Sequence, residues 1–220
     1  MKLKYYFQIS LLKSIFFNFR VLPFKKACRL PVLLFRHTRI KSLKGKLHID
    51  APCTHAMIKI GRADICGMET APTVLQLDGE IHFKGKATIG SGSVISVDRN
   101  GCLIFGNKYR ITGRSTIFCR HKISFGNNVL ISWDNLFMDH DHHDIMDHGG
   151  NIINPPGEII TGDHVWFGCR STILKGCRIP ADCVVAANSL LTGNFTEENS
   201  VIGGSGKNQQ VLRSGIEWKE

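Results

Sequence analysis

No acidic residue occurs before Asp50 in this 220-residue chain, whereas 12 Lys and Arg residues lie between Lys2 and Lys46. That segment, at +12, accounts for the chain's net charge of +10, because the 16 basic and 18 acidic residues that remain leave the rest of the chain at −2. So local an excess does not fit a uniformly basic nucleic-acid-binding domain, and no nucleic-acid partner is expected. Long apolar runs are missing too. Lys13, Arg20, Lys25 and Lys26 interrupt the one candidate region, well short of the ~18 to 20 apolar residues of a membrane-spanning helix. Lys2 and Lys4 ahead of the apolar stretch Tyr5 to Leu12 imitate a signal peptide, but Lys13 cuts it and no small-residue cleavage site follows. A cytoplasmic location is the expectation. The eight cysteines (28, 53, 66, 102, 119, 169, 177 and 183) form no CxxC pair, and a chain of this length needs no disulfide staples, so reduced thiols are expected. Neither a P-loop nor a GxGxxG turn is present to cradle a nucleotide.

What is present, at 43% hydrophobic and 21% charged residues, is enough apolar material for one domain with a core. Residues 1–41 mix bulky apolar side chains with Lys and Arg and are broken by Pro23 and Pro31. Phe7, Leu11, Ile15 and Phe19 recur at helical spacing, which predicts one short amphipathic helix. From Leu43 onward the chain reads as short strands and turns. Phe167, Ile173, Ile179, Val185 and Leu191 follow one another every six residues, and four positions after each of the first four stands a small residue: Ser171, Cys177, Cys183 and Ser189. A strict period of six suits neither an α-helix nor a meander. It suits stacked coils in which each unit is a short strand and a tight turn. The period extends upstream through Phe105, Ile111 and Ile117, slips by two around His121 and Lys122, and resumes at Phe125, Ile131 and Phe137; an earlier set comprises Leu77, Phe83, Ile89 and Ile95, with weaker traces near Ile58 and Ile60. The slip predicts a small bulge. A larger interruption, residues 138–158, predicts an inserted loop, where function is often carried. The expected organisation is a basic extension over 1–41, a solenoid over 42–204 and a tail over 205–220.

The loop opens with Met138-Asp139-His140-Asp141-His142-His143-Asp144-Ile145-Met146-Asp147-His148, four histidines and four aspartates in eleven residues. One reading is general-base catalysis, with an imidazole taking a proton from an alcohol while a carboxylate fixes its tautomer. A second is a metal site, since imidazole and carboxylate suit zinc. The third is a solvated polar loop with no chemistry.

The six-residue units, together with Asp163-His164-Val165-Trp166-Phe167-Gly168, which is similar to the signature GDNVWIG, resemble the hexapeptide-repeat acyltransferases over residues 47–204. That resemblance implies a left-handed parallel β-helix; spacing alone does not give the hand. It also implies acetyl-CoA as acyl donor, no catalytic metal, a saccharide acceptor and a homotrimer with its clefts between subunits. Sugar and capsular-polysaccharide O-acetyltransferases of this family carry a segment like MDTDFH-P-I. Laid onto this chain, it places the catalytic histidine at His143, with Asp139 and Asp141 at the two aspartates and an exchange of roles between His143 and His142 left open. Here His140 and His142 replace other motif residues, and Asp144 stands where proline is usual. Ile131-Ser132-Trp133 resembles the ISW of the polysaccharide-associated branch, so Trp133 and His142 become candidates to contact the acceptor. Positions matching the CoA groove are Trp166, Gly168, Cys169, Ala187 and Thr192, with Lys207 and Arg213 available to phosphates. Cys169 replaces a frequent serine and Gly193 a frequent basic residue, and Gly203 to Lys207 lacks the usual proline. A route through an acyl-Cys169 stands as an alternative to direct transfer. An N-acetyltransferase for an amino sugar or antibiotic and a non-catalytic β-helical module remain alternative functions. For the basic extension, two roles are expected: peripheral contact with an anionic membrane, and a cap over the solenoid's open first coil.

Overall fold

In a computed structural model, residues 8–63, 67 and 70–219 are described. Lys2, Lys4, Phe7 and Cys66 lie outside them. The described part of the chain passes through helix α1 (Leu11–Val21) and the short helix α2 (Phe24–Ala27), then winds coil upon coil into three sheets of nine, seven and six strands, parallel throughout except for the last pair of the nine-stranded sheet. The first coil gives each sheet one strand in turn, Val32–Leu34, Thr38–Leu43 and Lys46–Ile49. Regular coiling therefore starts at Val32, ahead of the expected start at residue 42. Sequence pattern hid this because residues 32–34 are buried throughout and show no alternation.

The period of six becomes a set of columns. In the nine-stranded sheet Ile89 pairs with Ile111, Ile111 with Ile131, Ile131 with Phe167 and Phe167 with Val185, all in the core. Phe167 and Val185 are eighteen residues apart, so this coil is three units of six, one per sheet. Phe83, Phe105 and Phe125 stack through the middle of the solenoid at 4.9 and 6.0 Å between ring centroids, and Phe125, Phe137 and Phe167 continue edge to face at 5.1 Å. Non-glycine residues with positive φ mark the turns, including Lys108, Asn128, His164 and Asp182 at one corner and Arg114, Asp134, Arg170 and Asn188 at another. At the first of these corners a Cβ on Gly126 would sit 2.2 Å from the carbonyl oxygen of Gly162, so coils stack there only without a side chain.

The two ends are closed differently. Helix α1 lies over the first strand through Ser14, Phe17 and Asn18, which are fully buried. Asn18 donates from Nδ2 to the carbonyl of Val32 (2.7 Å) and accepts the Val32 N–H on Oδ1 (3.1 Å), while Ser14 Oγ accepts the Leu34 N–H (2.9 Å). These polar side chains supply partners to backbone groups of Val32 and Leu34. The helical stripe read from the sequence faces the other way: Leu11, Ile15 and Phe19 are exposed, as are Leu12 and Phe16. At the far end Gln210–Ser214 adds antiparallel to Ser200–Gly203, the last of the parallel strands in the nine-stranded sheet, so the expected tail contributes that sheet's ninth strand.

Candidate active site

Strand Leu136–Met138 of the seven-stranded sheet ends at a corner and delivers Asp139 into it. The carboxylate is 0% exposed. Its Oδ1 accepts the N–H of Arg120 (2.8 Å) and its Oδ2 that of His121 (2.9 Å), both on the preceding coil. The six-residue period slips by two around His121 and Lys122, so the slip in sequence falls at the corner on which Asp139 rests. Asp139 Oδ1 also lies 2.8 Å from Nδ1 of His140, which is 3% exposed, and His140 Nε2 lies 3.2 Å from Nδ1 of His142.

Proton positions follow from valence. An ionised carboxylate only accepts, so His140 carries its proton on Nδ1 and offers a lone pair at Nε2; His142 donates to it from Nδ1, and His142 Nε2 is left as a basic nitrogen. His142 adopts φ +62°, packs edge to face on Phe118 at 5.8 Å and is exposed at the corner. Partial desolvation lowers its pKa below the ordinary imidazole value, and Asp98 on an earlier coil opposes that shift.

The other expected members of this group are placed elsewhere. No hydrogen bond to the His143 ring is found among the described residues, and Asn154 donates to its backbone carbonyl (2.9 Å). Asp141 accepts from Lys175 Nζ and from Asn154 Nδ2 (2.8 Å), contacts that lower its pKa, in that order. Lys175 also donates to the Asn154 carbonyl (2.7 Å). Asp141 thus ties the loop to the next coil, and of the two expected aspartates only Asp139 reaches an imidazole.

A second cluster forms at the preceding corner. Trp133, Trp166, Gly168, Cys169 and Ala187 line an apolar cavity of about 220 Å³ together with Ser132, Val184, Val185 and Ala186. Trp166 donates from Nε1 to Ser132 Oγ (3.1 Å), which fixes the indole while leaving it 38% exposed; Trp133 is 39% exposed. A Cβ on Gly168 would stand 2.6 Å from the Ala187 nitrogen, so the glycine here serves close coil stacking. Trp133, expected at the acceptor, lies beside the residues expected at CoA. Thr192 and Lys207 do not line this cavity. The N–H groups of Thr192 and Gly193 donate to Gln209 Oε1 (2.8 and 2.9 Å), and Lys207 is exposed in the turn Gly206–Asn208. Trp218, which sequence reading did not single out, stacks on His164 at 4.1 Å and stands 6.1 Å from Trp166.

Burial pushes the Cys177 thiol up to about 12 and raises Cys119 further, so neither is a nucleophile at neutral pH. Among the described residues all cysteines are free.

No protein-family profile and no curated sequence matches the chain. Solved structures do match it. The polySia specific acetyltransferase NeuO superposes with a TM-score of 0.52 at 19% identity, over 83% of this chain and 76% of that one. The polysialic acid O-acetyltransferase OatWY gives 0.45 at 22% identity over 84% and 88%, and the hexapeptide-repeat acetyltransferase VCA0836 of Vibrio cholerae gives 0.45 at 18% over 92% and 86%. The fold is that of the hexapeptide-repeat acetyltransferases. More particularly, the chain is a left-handed parallel β-helix with an N-terminal helix and one long loop. No helix among the described residues is long and apolar enough to cross a membrane.

Proposed function

We propose that this protein transfers an acetyl group from acetyl-CoA to a hydroxyl of a polysaccharide or glycan precursor, without a covalent enzyme intermediate. The observation that carries the reading is the chain of contacts from buried Asp139 through His140 to His142. His142 Nε2 removes the proton of the acceptor hydroxyl, and the oxygen attacks the thioester carbonyl carbon. The tetrahedral intermediate collapses with loss of CoA thiolate, which takes the proton back from the imidazolium and leaves as the thiol. Asp139 and His140 hold the ring of His142 in the tautomer this requires. His142 thus replaces His143 as the preferred base, and Asp141 becomes a loop anchor.

The apolar cavity at Trp133 and Trp166 suits the acyl and pantetheine part of CoA. It lies one corner away from His142, separated by strand Leu136–Met138, about 10 Å for three residues. A homotrimer would bring the loop of one subunit to the Trp corner of its neighbour, as the family resemblance implies, in the cytoplasm, where acetyl-CoA and glycan precursors meet. The test is acetylation of a saccharide panel, amino sugars included, by wild type and by His142→Ala and His143→Ala. Loss of turnover in His142→Ala with CoA binding kept supports the reading; full activity in that variant overturns the base, and acetylation of amines alone overturns the O-transfer.

We also propose that the outer face of α1 rests on an anionic membrane. Leu12 and Phe24 are 82% and 72% exposed, beside Leu11 and Phe16, in a segment with no acidic residue before Asp50. Polar Ser14 and Asn18 occupy the inner face, so the apolar side is free to enter the headgroup region. Flotation with phosphatidylserine vesicles should recover the wild-type protein and lose Leu12→Ser/Phe16→Ser; equal recovery of both ends the idea.

A further inference from the structure

On the six-stranded sheet, far along the chain from the histidine loop, strands Lys46–Ile49 and Glu80–Phe83 pair in register with His48 opposite His82. Both imidazoles point outward, since Leu47, Ile49, Ile81 and Phe83 fill the core side. Their rings stack at 4.4 Å between centroids and 13° between planes. Glu80, two residues before His82 and so on the same face, places Oε2 3.5 Å from His82 Nε2 and 3.9 Å from His48 Nε2. One carboxylate oxygen thus faces two imidazole nitrogens.

The far side of the cluster decides what those nitrogens offer. Asp50 Oδ2 lies 3.0 Å from Nδ1 of His82, which holds the proton on Nδ1 and turns Nε2, as a lone pair, toward Glu80. In a neutral imidazole that arrangement sets a lone pair against a carboxylate. His48 Nε2 is shielded from solvent and has no hydrogen-bond partner. Lys46 offers no remedy, since its Nζ is 4.0 Å from the other oxygen, Oε1. A carboxylate with two unneutralised nitrogens around it and a second carboxylate behind one imidazole is the arrangement that a metal cation completes, the outer carboxylate fixing the tautomer of the ligating ring.

We propose that His48, Glu80 and His82 bind a divalent transition metal of the zinc class, with Asp50 as the outer partner of His82 and the fourth position open to water. Nitrogen and oxygen donors of this kind suit zinc. The three ligand atoms already lie within 4.8 Å of one another. Bonds of about 2 Å set ligand atoms a little over about 3 Å apart, so a tilt of the two rings out of their stack closes the site. The metal would pin the first coil to the second, a role separate from the acyl transfer proposed above, and it makes no use of the loop histidines.

The test is zinc titration of tag-free, chelator-treated protein by calorimetry, with cobalt(II) absorption reporting the ligand set. Because the histidine loop is itself a potential ligand cluster, His142→Ala/His143→Ala is titrated in parallel. One zinc per chain at micromolar concentration is expected in wild type and in the loop variant. His48→Ala/His82→Ala and, separately, Glu80→Gln should lose it, and Asp50→Asn should weaken it about 10-fold or more. Circular dichroism checks that each variant is folded. Failure of wild type to bind at micromolar zinc overturns the proposal, as does binding unchanged in His48→Ala/His82→Ala or lost in the loop variant alone.

Discussion

His142 shows how much one side chain's chemistry depends on its neighbours. Partial desolvation disfavours its protonated form, so it is neutral at a pH where a free imidazole is still partly charged. A base must be neutral to work, and activity should therefore rise as pH climbs through a value below the ordinary histidine value of about 6.5. The acid limb of kcat/KM against pH is the measurement; a limb at or above the ordinary value would remove His142 from the role. Cys169 is the contrasting case, small enough to line the Trp cavity without taking part, and Cys169→Ala should keep most turnover in a steady-state assay. Tyr109 is a residue whose cost shows only in three dimensions. Its hydroxyl is buried among Phe105 and Phe125 with no partner, and burial raises its pKa well above the usual phenol value. Tyr109→Phe removes an unsatisfied polar atom at nearly constant volume. Stability should increase by about 1 kcal/mol, roughly 2–4 °C in melting temperature for a chain of this size.

Among the elements, α1 departs most from its pattern. Phe7, Leu11, Ile15 and Phe19 are spaced as a buried stripe, yet the three of these within the described residues are exposed, and Ser14, Phe17 and Asn18 form the inner face. The physical reason is the open edge of Val32–Leu34, whose backbone groups need partners more than the core needs another leucine. Asn18→Ala would leave the Val32 N–H and carbonyl without their side-chain partners at a buried site. A loss of about 1–3 kcal/mol is expected, read as a lower urea midpoint at unchanged slope. The histidine loop obeys a similar logic. Its first carboxylate closes the corner at Arg120 and His121 and its second is tied to Lys175, so both ends of the loop's opening segment are held before any substrate arrives.

At the scale of the whole molecule, Asp139–His140–His142 and the Trp133–Trp166 cavity occupy successive corners of one solenoid, and transfer requires that they face a common cleft. In the proposed trimer each cleft takes its loop from one subunit and its tryptophans from another. Two variants each inactive alone, His142→Ala and Trp166→Ala, should then complement when co-expressed. Random assortment restores about one quarter of the clefts, whereas a site contained within one subunit would stay silent in the same activity assay.

Much of this architecture was legible without coordinates. A large apolar residue every sixth position can be buried only if the chain turns at the same interval, and Phe105, Ile111, Ile131, Phe137, Phe167 and Val185 all lie in the core, as that requires. The slip near His121 and the loop after Met138 were equally readable, whereas Trp166, Gly168, Cys169 and Ala187 were singled out only through the family resemblance, and the structure brings them together at one corner. The pairing within the loop was not. Asp139, Asp141, His140, His142 and His143 are close together in sequence whichever way the backbone turns. Only the wrapping of one coil over another decides that Asp139 meets the amides of Arg120 and His121, that His140 fills the space beside it, and that Asp141 and His143 turn elsewhere. Periodicity, a local property, fixed the solenoid; contacts between residues about twenty apart, which no local pattern records, fixed which histidine its carboxylate orients.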